Sequence, residues 1–469
     1  KTRMRSGRAA RLAANTAAKS APLRRHCRAC SSESPPSPTT FPAWRPLDFF
    51  HFEILHQSRR SNARVGRIHT PHGVIDTPGF VPVGTNAALK HVDQRAPAAA
   101  GVQLMFVNTY HMLVHPGSEV VAAAGGLHKF MLRDKPLITD SGGFQIFSMQ
   151  QRPGQRAMPG DDDAPPQGGS ADAGGELKSS RHPNARWQRR HAAEEDEPNP
   201  SGHGGGVRVT EQGVTFRSYR DGTPLHLSPE STVEHQKRLG ADIIIPLDEL
   251  PSYHTAPDAL RRSLQRTHRW EARSLRRHLE MGAQQQAMYA VVHGGVDREL
   301  RRQSAEYLGA LPFDGYAVGG AVGKDHAEML SMLGAMLPRL PRQRPRHLLG
   351  VADERGVPPS AALGIDTFDS CYPTRLGRHG TLLTPRGRLK IGQKQYRDMH
   401  TPPPGFEDDL VPAGCEADGA PPQQHTLAYL HHLWKANEPL VFTLLALHNI
   451  RFMGDMCRRL REQIRRDQI

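Results

Sequence analysis

Three aspartates stand at the ends of short apolar or β-branched runs: Asp140 after Leu137–Thr139, Asp248 after Ile243–Leu247, and Asp369 closing Thr367–Asp369. Two glycine pairs occupy the same kind of place, Gly294-Gly295 behind His293 and Gly319-Gly320 behind Tyr316–Val318. A carboxylate can act as a nucleophile, as a general acid or base, or as a hydrogen-bond acceptor. A glycine pair lets a backbone N–H approach a group that a side chain would block. A single aspartate behind a strand serves equally well as a helix N-cap. Three of them, interleaved with glycine pairs, point instead to one site assembled from several strands.

The elements that must position these residues alternate regularly. Eight runs read as short buried strands: Pro78–Val83, Leu104–Asn108, Leu137–Thr139, Ile243–Leu247, Met288–Val292, Tyr316–Val318, His347–Gly350 and Thr367–Asp369. Ser228-Pro229-Glu230 opens a helix with a good N-cap and proline in the first turn. Pro257–Leu279, Val296–Leu311 and His326–Leu337 are further helical stretches, the first with Leu260, Leu264, Leu275 and Leu279 on one stripe. Eight buried strands alternating with helices predict an α/β protein with a (β/α)8 barrel, whose chemistry gathers at the C-terminal strand ends.

The chain has 469 residues, 37% of them hydrophobic, and five cysteines. No apolar run approaches the roughly 20 residues of a membrane span, and five cysteines do not make a disulfide scaffold. The formal net charge of +14 suggests a nucleic-acid partner only if it lies on the folded part. It does not: residues 1–46 hold ten Lys or Arg and one acid, which leaves +5 to the rest. That segment, rich in Arg and Ser and poor in acids, reads as a transit peptide outside the fold and predicts an organellar protein, mitochondrial or plastid. Residues 150–206, rich in Gly and Pro with two acidic runs, read as a disordered insertion in the barrel of residues 47–400. Residues 401–469 read as a Pro/Gly-rich linker and a helical C-terminal subdomain.

Several motifs carry a resemblance. Asn108-Thr-Tyr-His111, Thr139-Asp-Ser-Gly-Gly-Phe-Gln145, Phe313-Asp-Gly-Tyr-Ala-Val-Gly-Gly320 and Phe368-Asp-Ser-Cys-Tyr-Pro-Thr-Arg375 resemble the tRNA-guanine transglycosylase family, as do Pro71-His-Gly73 and Gly213-Val-Thr-Phe-Arg217. The resemblance implies an irregular (β/α)8 TIM barrel with a C-terminal zinc-type subdomain. It implies exchange of guanine at the wobble position (34) of tRNAs with G-U-N anticodons for queuine or preQ1, through a covalent Asp–ribose intermediate. By motif match Asp369 is the nucleophile and Asp140 the acid/base group. Phe144 stacks on the flipped base with Leu349 facing it, while Asp248, His293, Gly319 and Gly320 read its edges. Arg375 and Arg378 match contacts to the tRNA.

The chain departs from the family pattern at His293, at Leu250, in the segment after Gly320, which is one residue shorter than usual, and at the zinc site. His293 stands where glutamine is usual, and can still donate one hydrogen bond. Counting back from His448, the three zinc thiolate positions fall on Ala417, Gly419 and Pro422, with only Cys415 nearby, so the zinc site reads as degenerate even with His425, Asp418 or Glu416 as substitutes. The family resemblance implies a homodimer or heterodimer. Loss of the cysteines favours an alternative reading, a tRNA-binding partner subunit with weak catalysis. Retention of Asp369, Asp140, Asp248 and both arginines favours the enzyme.

Overall fold

The computed structural model describes residues 34–93, 96, 100–149, 206–320, 322–404 and 425–469. All eight expected strands are present and close into one parallel barrel: β1 (Gly79–Gly84), β2 (Met105–Val107), β3 (Leu137–Thr139), β4 (Ile243–Ile244), β5 (Ala287–Val292), β6 (Gly315–Val318), β7 (Arg346–Leu348) and β8 (Thr367–Ser370). β8 closes on β1 through the pairs Thr367–Gly79 to Ser370–Pro82. The expected helices are found as Pro229–Leu239, Pro257–Glu280, Arg298–Gly309 and His326–Met336. Ser228 caps the first of them reciprocally with Ser231. Apolar residues fill the barrel interior, among them Val81, Phe106, Ile138, Ile243, Tyr289 and Val291. A three-stranded antiparallel sheet (His51–Gln57, Arg64–Thr70, Gly73–Thr77) closes the N-terminal end of the barrel, adding Ile68 and Ile75 to that interior cluster.

β4 is shorter than the run Ile243–Leu247 suggests. The reason is Gln236, a fully buried side chain on the neighbouring helix. Its Nε2 donates to Ile245 O at 2.7 Å and its Oε1 accepts from Ile245 N at 3.0 Å. A side-chain amide thus replaces a strand partner, and Ile245 and Leu247 stay buried without a ladder.

The barrel floor carries a repeated device. Asp242, Asp314 and Asp366 each stand just before an even-numbered strand and accept from the backbone of the odd strand preceding it. Asp242 accepts from Leu137 N at 2.8 Å, Asp314 from Met288 N at 2.9 Å and Asp366 from Arg346 N at 2.7 Å. Asp366 also receives a buried two-point ion pair from Arg64, at 2.8 and 2.6 Å. Asp242 further accepts from His72 Nδ1 at 2.8 Å, and His72 stacks on His128.

The boundary expected at residue 46 needs correction. Residues 1–33 lie outside the described residues, but residues 34–46 pack on the barrel. Phe41 joins the core between barrel and helices, the Arg344 guanidinium lies 4.4 Å over the Trp44 ring, and Tyr307 Oη donates to Pro36 O at 3.0 Å. Residues 150–205 of the expected insertion 150–206, and most of the expected linker, residues 405–424, lie outside the described residues. The C-terminal helices Leu427–Lys435 and Leu440–Arg465 follow. The second is long and apolar, and it turns Val441, Leu445, Ile450, Met453, Cys457 and Leu460 inward as a buried stripe.

Candidate active site

Residues at the C-terminal ends of seven barrel strands, β2 to β8, form the site. Asp140 follows β3, and two donors hold its carboxylate: Asn108 Nδ2 at 2.8 Å and Thr109 N at 2.7 Å, both following β2. Burial, outweighing these bonds and one from Gln145, and the charge of Asp369 together push the Asp140 carboxyl up to about 6. This is a carboxyl that can hold or release a proton near neutral pH.

Asp369 closes the inward face of β8 and is 6% exposed. One of its oxygens, Oδ1, accepts from His347 Nε2 at 2.9 Å and from Gly350 N at 2.9 Å. His347 is fully buried, and its Nδ1 lies 2.8 Å from Thr367 Oγ1. Among the described residues no donor is hydrogen-bonded to Oδ2.

The expected base-reading residues gather at the same mouth. Asp248 is buried, with Oδ2 2.5 Å from His293 Nε2 and Oδ1 accepting from Ser141 Oγ at 3.3 Å. Gly143, next to Phe144, abuts this carboxylate, since a Cβ there would lie 3.3 Å from Asp248 Oδ1. Phe144 itself is 38% exposed at the rim. The glycine pair after β6 is sterically required. A Cβ on Gly319 would lie 2.7 Å from Val291 and 3.3 Å from Leu349; on Gly320, at φ +74°, it would lie 2.7 Å from His293 Nδ1. Leu349 therefore lies against Gly319. Glu249 points away, bound by Arg266 Nη1 at 2.7 Å.

Sequence reasoning missed two residues. Arg301, fully buried, donates to Gly295 O, Val292 O and Gly319 O at 2.8–2.9 Å and so ties the two glycine pairs together. His347 was read only as the start of a strand. Its signal was a polar residue at an inward position of an otherwise apolar run.

Arg375 and Arg378 lie half-buried on the helix Tyr372–Arg378, directly after β8. Asn449 anchors that helix: its amide donates to Pro373 O and Thr381 O and accepts from Leu383 N, at 2.8–3.0 Å. Cys371 is a buried thiol, as expected.

A structural zinc ion takes four N or S donors. Here His448 Nε2 donates to Leu383 O at 2.8 Å, and Cys415 lies outside the described residues. Among the described residues, the one group of three potential ligands close enough to share an ion is His72, His128 and Asp242 on the barrel floor, which does not include His448. Among the described residues, His448 is not part of a donor set that fits a four-ligand zinc site.

Comparison with known proteins agrees with this arrangement. A profile described as queuine tRNA-ribosyltransferase matches residues 58–157 and 201–469. A queuine tRNA-ribosyltransferase of Protochlamydia amoebophila is 48% identical over 424 residues, 90% of this chain and 97% of that protein. Those of Chlamydia muridarum and Chlamydia caviae are 43% and 42% identical over 418 and 419 residues, 89% of this chain and 99% of each. These relatives are bacterial and match the chain across its barrel, which overturns the organellar assignment drawn from the basic N-terminal segment. Barrel, strand-end aspartates, glycine pairs and relatives agree: the chain belongs to the queuine tRNA-ribosyltransferase, or tRNA-guanine transglycosylase, family of pentosyltransferases.

Proposed function

We propose that this chain exchanges guanine at the wobble position (34) of tRNAs with G-U-N anticodons for queuine or preQ1, with Asp369 forming a covalent bond to the ribose. The observation that carries the reading is the division of labour between two carboxyls. Asp369 has one oxygen held by His347 and Gly350 and the other unengaged within the described residues. Asp140 nearby is pushed up to about 6.

Cleavage of an N-glycosidic bond builds positive charge at the sugar carbon, which a carboxylate at the open face can capture. In the first half, an Asp369 Oδ2 electron pair forms the bond to C1′. The C1′–N9 pair leaves with guanine, which takes a proton from the Asp140 carboxyl. In the second half, Asp140 takes the N9 proton of the incoming base. The N9 electron pair then attacks C1′, and the C1′–Oδ2 pair returns to Asp369. Asp248 faces the donor edge of the base, Gly319 and Gly320 its carbonyl oxygen, and Phe144 and Leu349 its two faces. Arg375 and Arg378 take the anticodon.

The test is radiolabelled-guanine exchange into tRNA by the wild type and by Asp369→Ala, followed by competition with queuine and with preQ1. Exchange by the wild type with loss in the variant is the expected result. A folded wild type that exchanges nothing would leave the tRNA-binding-subunit reading, and equal exchange by the variant would remove Asp369 as nucleophile.

A further inference from the structure

We propose that His347 is a positioning residue that makes Asp369 asymmetric: it commits Oδ1 to the protein, leaves Oδ2 to attack, and speeds departure of the carboxylate in the second half-reaction. The inference rests on the reading of Asp369 as nucleophile.

The arrangement follows from strand register. β7 and β8 are parallel neighbours with His347 opposite Thr367. Residues two apart on a strand share a face, so Thr367 and Asp369 both point inward, as do His347 and Leu349. His347 lies one layer below the mouth, its ring roughly parallel to that of Phe106 with centroids 6.1 Å apart, and no part of it is exposed. Its two nitrogens have different partners. A carboxylate oxygen only accepts, so Nε2 carries the hydrogen toward Asp369 Oδ1 at 2.9 Å. In the neutral ring Nδ1 is then the acceptor, and the Thr367 hydroxyl donates to it at 2.8 Å. Gly350 N–H converges on the same Oδ1.

Two donors on Oδ1 act differently on the two halves of the exchange. In the free carboxylate Oδ1 carries half of the negative charge and accepts strongly. In the glycosyl ester it is an ordinary carbonyl oxygen and accepts more weakly. The donors therefore favour carboxylate over ester. They hold Oδ2 in line for attack while moderating its basicity, and they stabilise the carboxylate as it departs from C1′. The closest general analogue is a hydrogen-bond donor aimed at an oxygen where charge develops.

The experiment follows adduct formation and breakdown with tRNA in single-turnover mixing, trapping the covalent protein–tRNA species on denaturing gels. His347→Leu is expected to lower kcat by about 10- to 100-fold, with the KM for tRNA within about 2-fold of wild type, while the trapped fraction rises. His347→Gln, which can place an N–H near the same point, is expected to recover most of the loss. Thr367→Val, nearly isosteric, removes the hydroxyl that holds Nδ1 and helps orient the ring, and is expected to shift the trapped fraction in the same direction by a smaller factor. Should the leucine variant not fold, the glutamine and valine variants still decide the matter. Three results overturn the proposal: equal loss in the leucine and glutamine variants, a trapped fraction that falls in step with activity, or a valine variant identical to wild type. Absence of any trapped species in the wild type, or its persistence in Asp369→Asn, would overturn the nucleophile reading, a separate outcome.

Discussion

His293 Nε2 lies 2.5 Å from Asp248 Oδ2, so the carboxylate proposed to read the donor edge of the base is already paired within the protein. An ionised carboxylate offers about four lone-pair directions, enough to keep His293 and Ser141 and still accept two N–H groups from a base.

Replacing Asp248 by Asn puts an N–H against a donor edge. We expect kcat/KM for guanine to fall by about 10³-fold or more, as buried mismatched polar groups do elsewhere. His293→Gln keeps one donor and should stay within about 10-fold of wild type, whereas His293→Leu leaves the buried carboxylate short of a partner and should lose about 10²-fold. Steady-state exchange with guanine as the varied substrate measures all three.

Asp140→Asn should abolish exchange yet stabilise the fold. The folded Asp140 carboxyl is pushed up to about 6 from 3.8, mainly by burial. A raised value means that its stabilising contribution is complete below about pH 4 and is lost as pH rises through about 6. Above pH 6 the ionised wild type carries a penalty of roughly 1–3 kcal/mol that the amide does not. Thermal melts at pH 7.5 should therefore favour the variant, and the gap should close on approaching pH 4. A gap that widens toward acid would contradict this.

Arg301→Met removes the donors that hold Val292 O, Gly295 O and Gly319 O. Each buried carbonyl left unpaired costs about 1–3 kcal/mol. The expected result is a melting temperature lower by several degrees and a KM for guanine raised about 10-fold, with the KM for tRNA little changed. The split between the two KM values is the measurement.

Asn449→Ala should show the opposite split. Its amide joins the C-terminal helix to Pro373, Thr381 and Leu383, beneath the helix that carries Arg375 and Arg378. Loss of that anchor should raise the KM for tRNA and lower the melting temperature while the KM for guanine stays near wild type. Binding titrations with tRNA at two salt concentrations would report the arginine contribution directly.

The barrel was legible because its strands are short, apolar and regularly interrupted, and because Asp140, Asp248, Asp369 and the glycine pairs mark their ends. What stayed hidden is polar structure that repays its burial only through partners distant in sequence. Gln236 looks like a surface helix residue until its amide is seen to replace a partner of β4. Arg301 looks like one basic residue among many on its helix, yet it is fully buried. His347 is separated by 22 residues from the carboxylate it bonds. The N-terminal segment misled for a related reason: its composition resembles a targeting signal, but Phe41 and Trp44, two large aromatics within it, have places on the barrel.

The floor aspartates have a consequence for the opposite end of the molecule. On β7 the inward side chains are His347 and Leu349, two residues apart. A slip of β7 by two residues would keep every side chain on its face and preserve the barrel, but it would put an apolar side chain against Asp369 in place of the imidazole. Asp366 grips Arg346 N at 2.7 Å, immediately before His347, and so excludes that slip. β3, β5 and β7 are thus indexed from below, and the floor helps determine which atoms confront one another at the mouth.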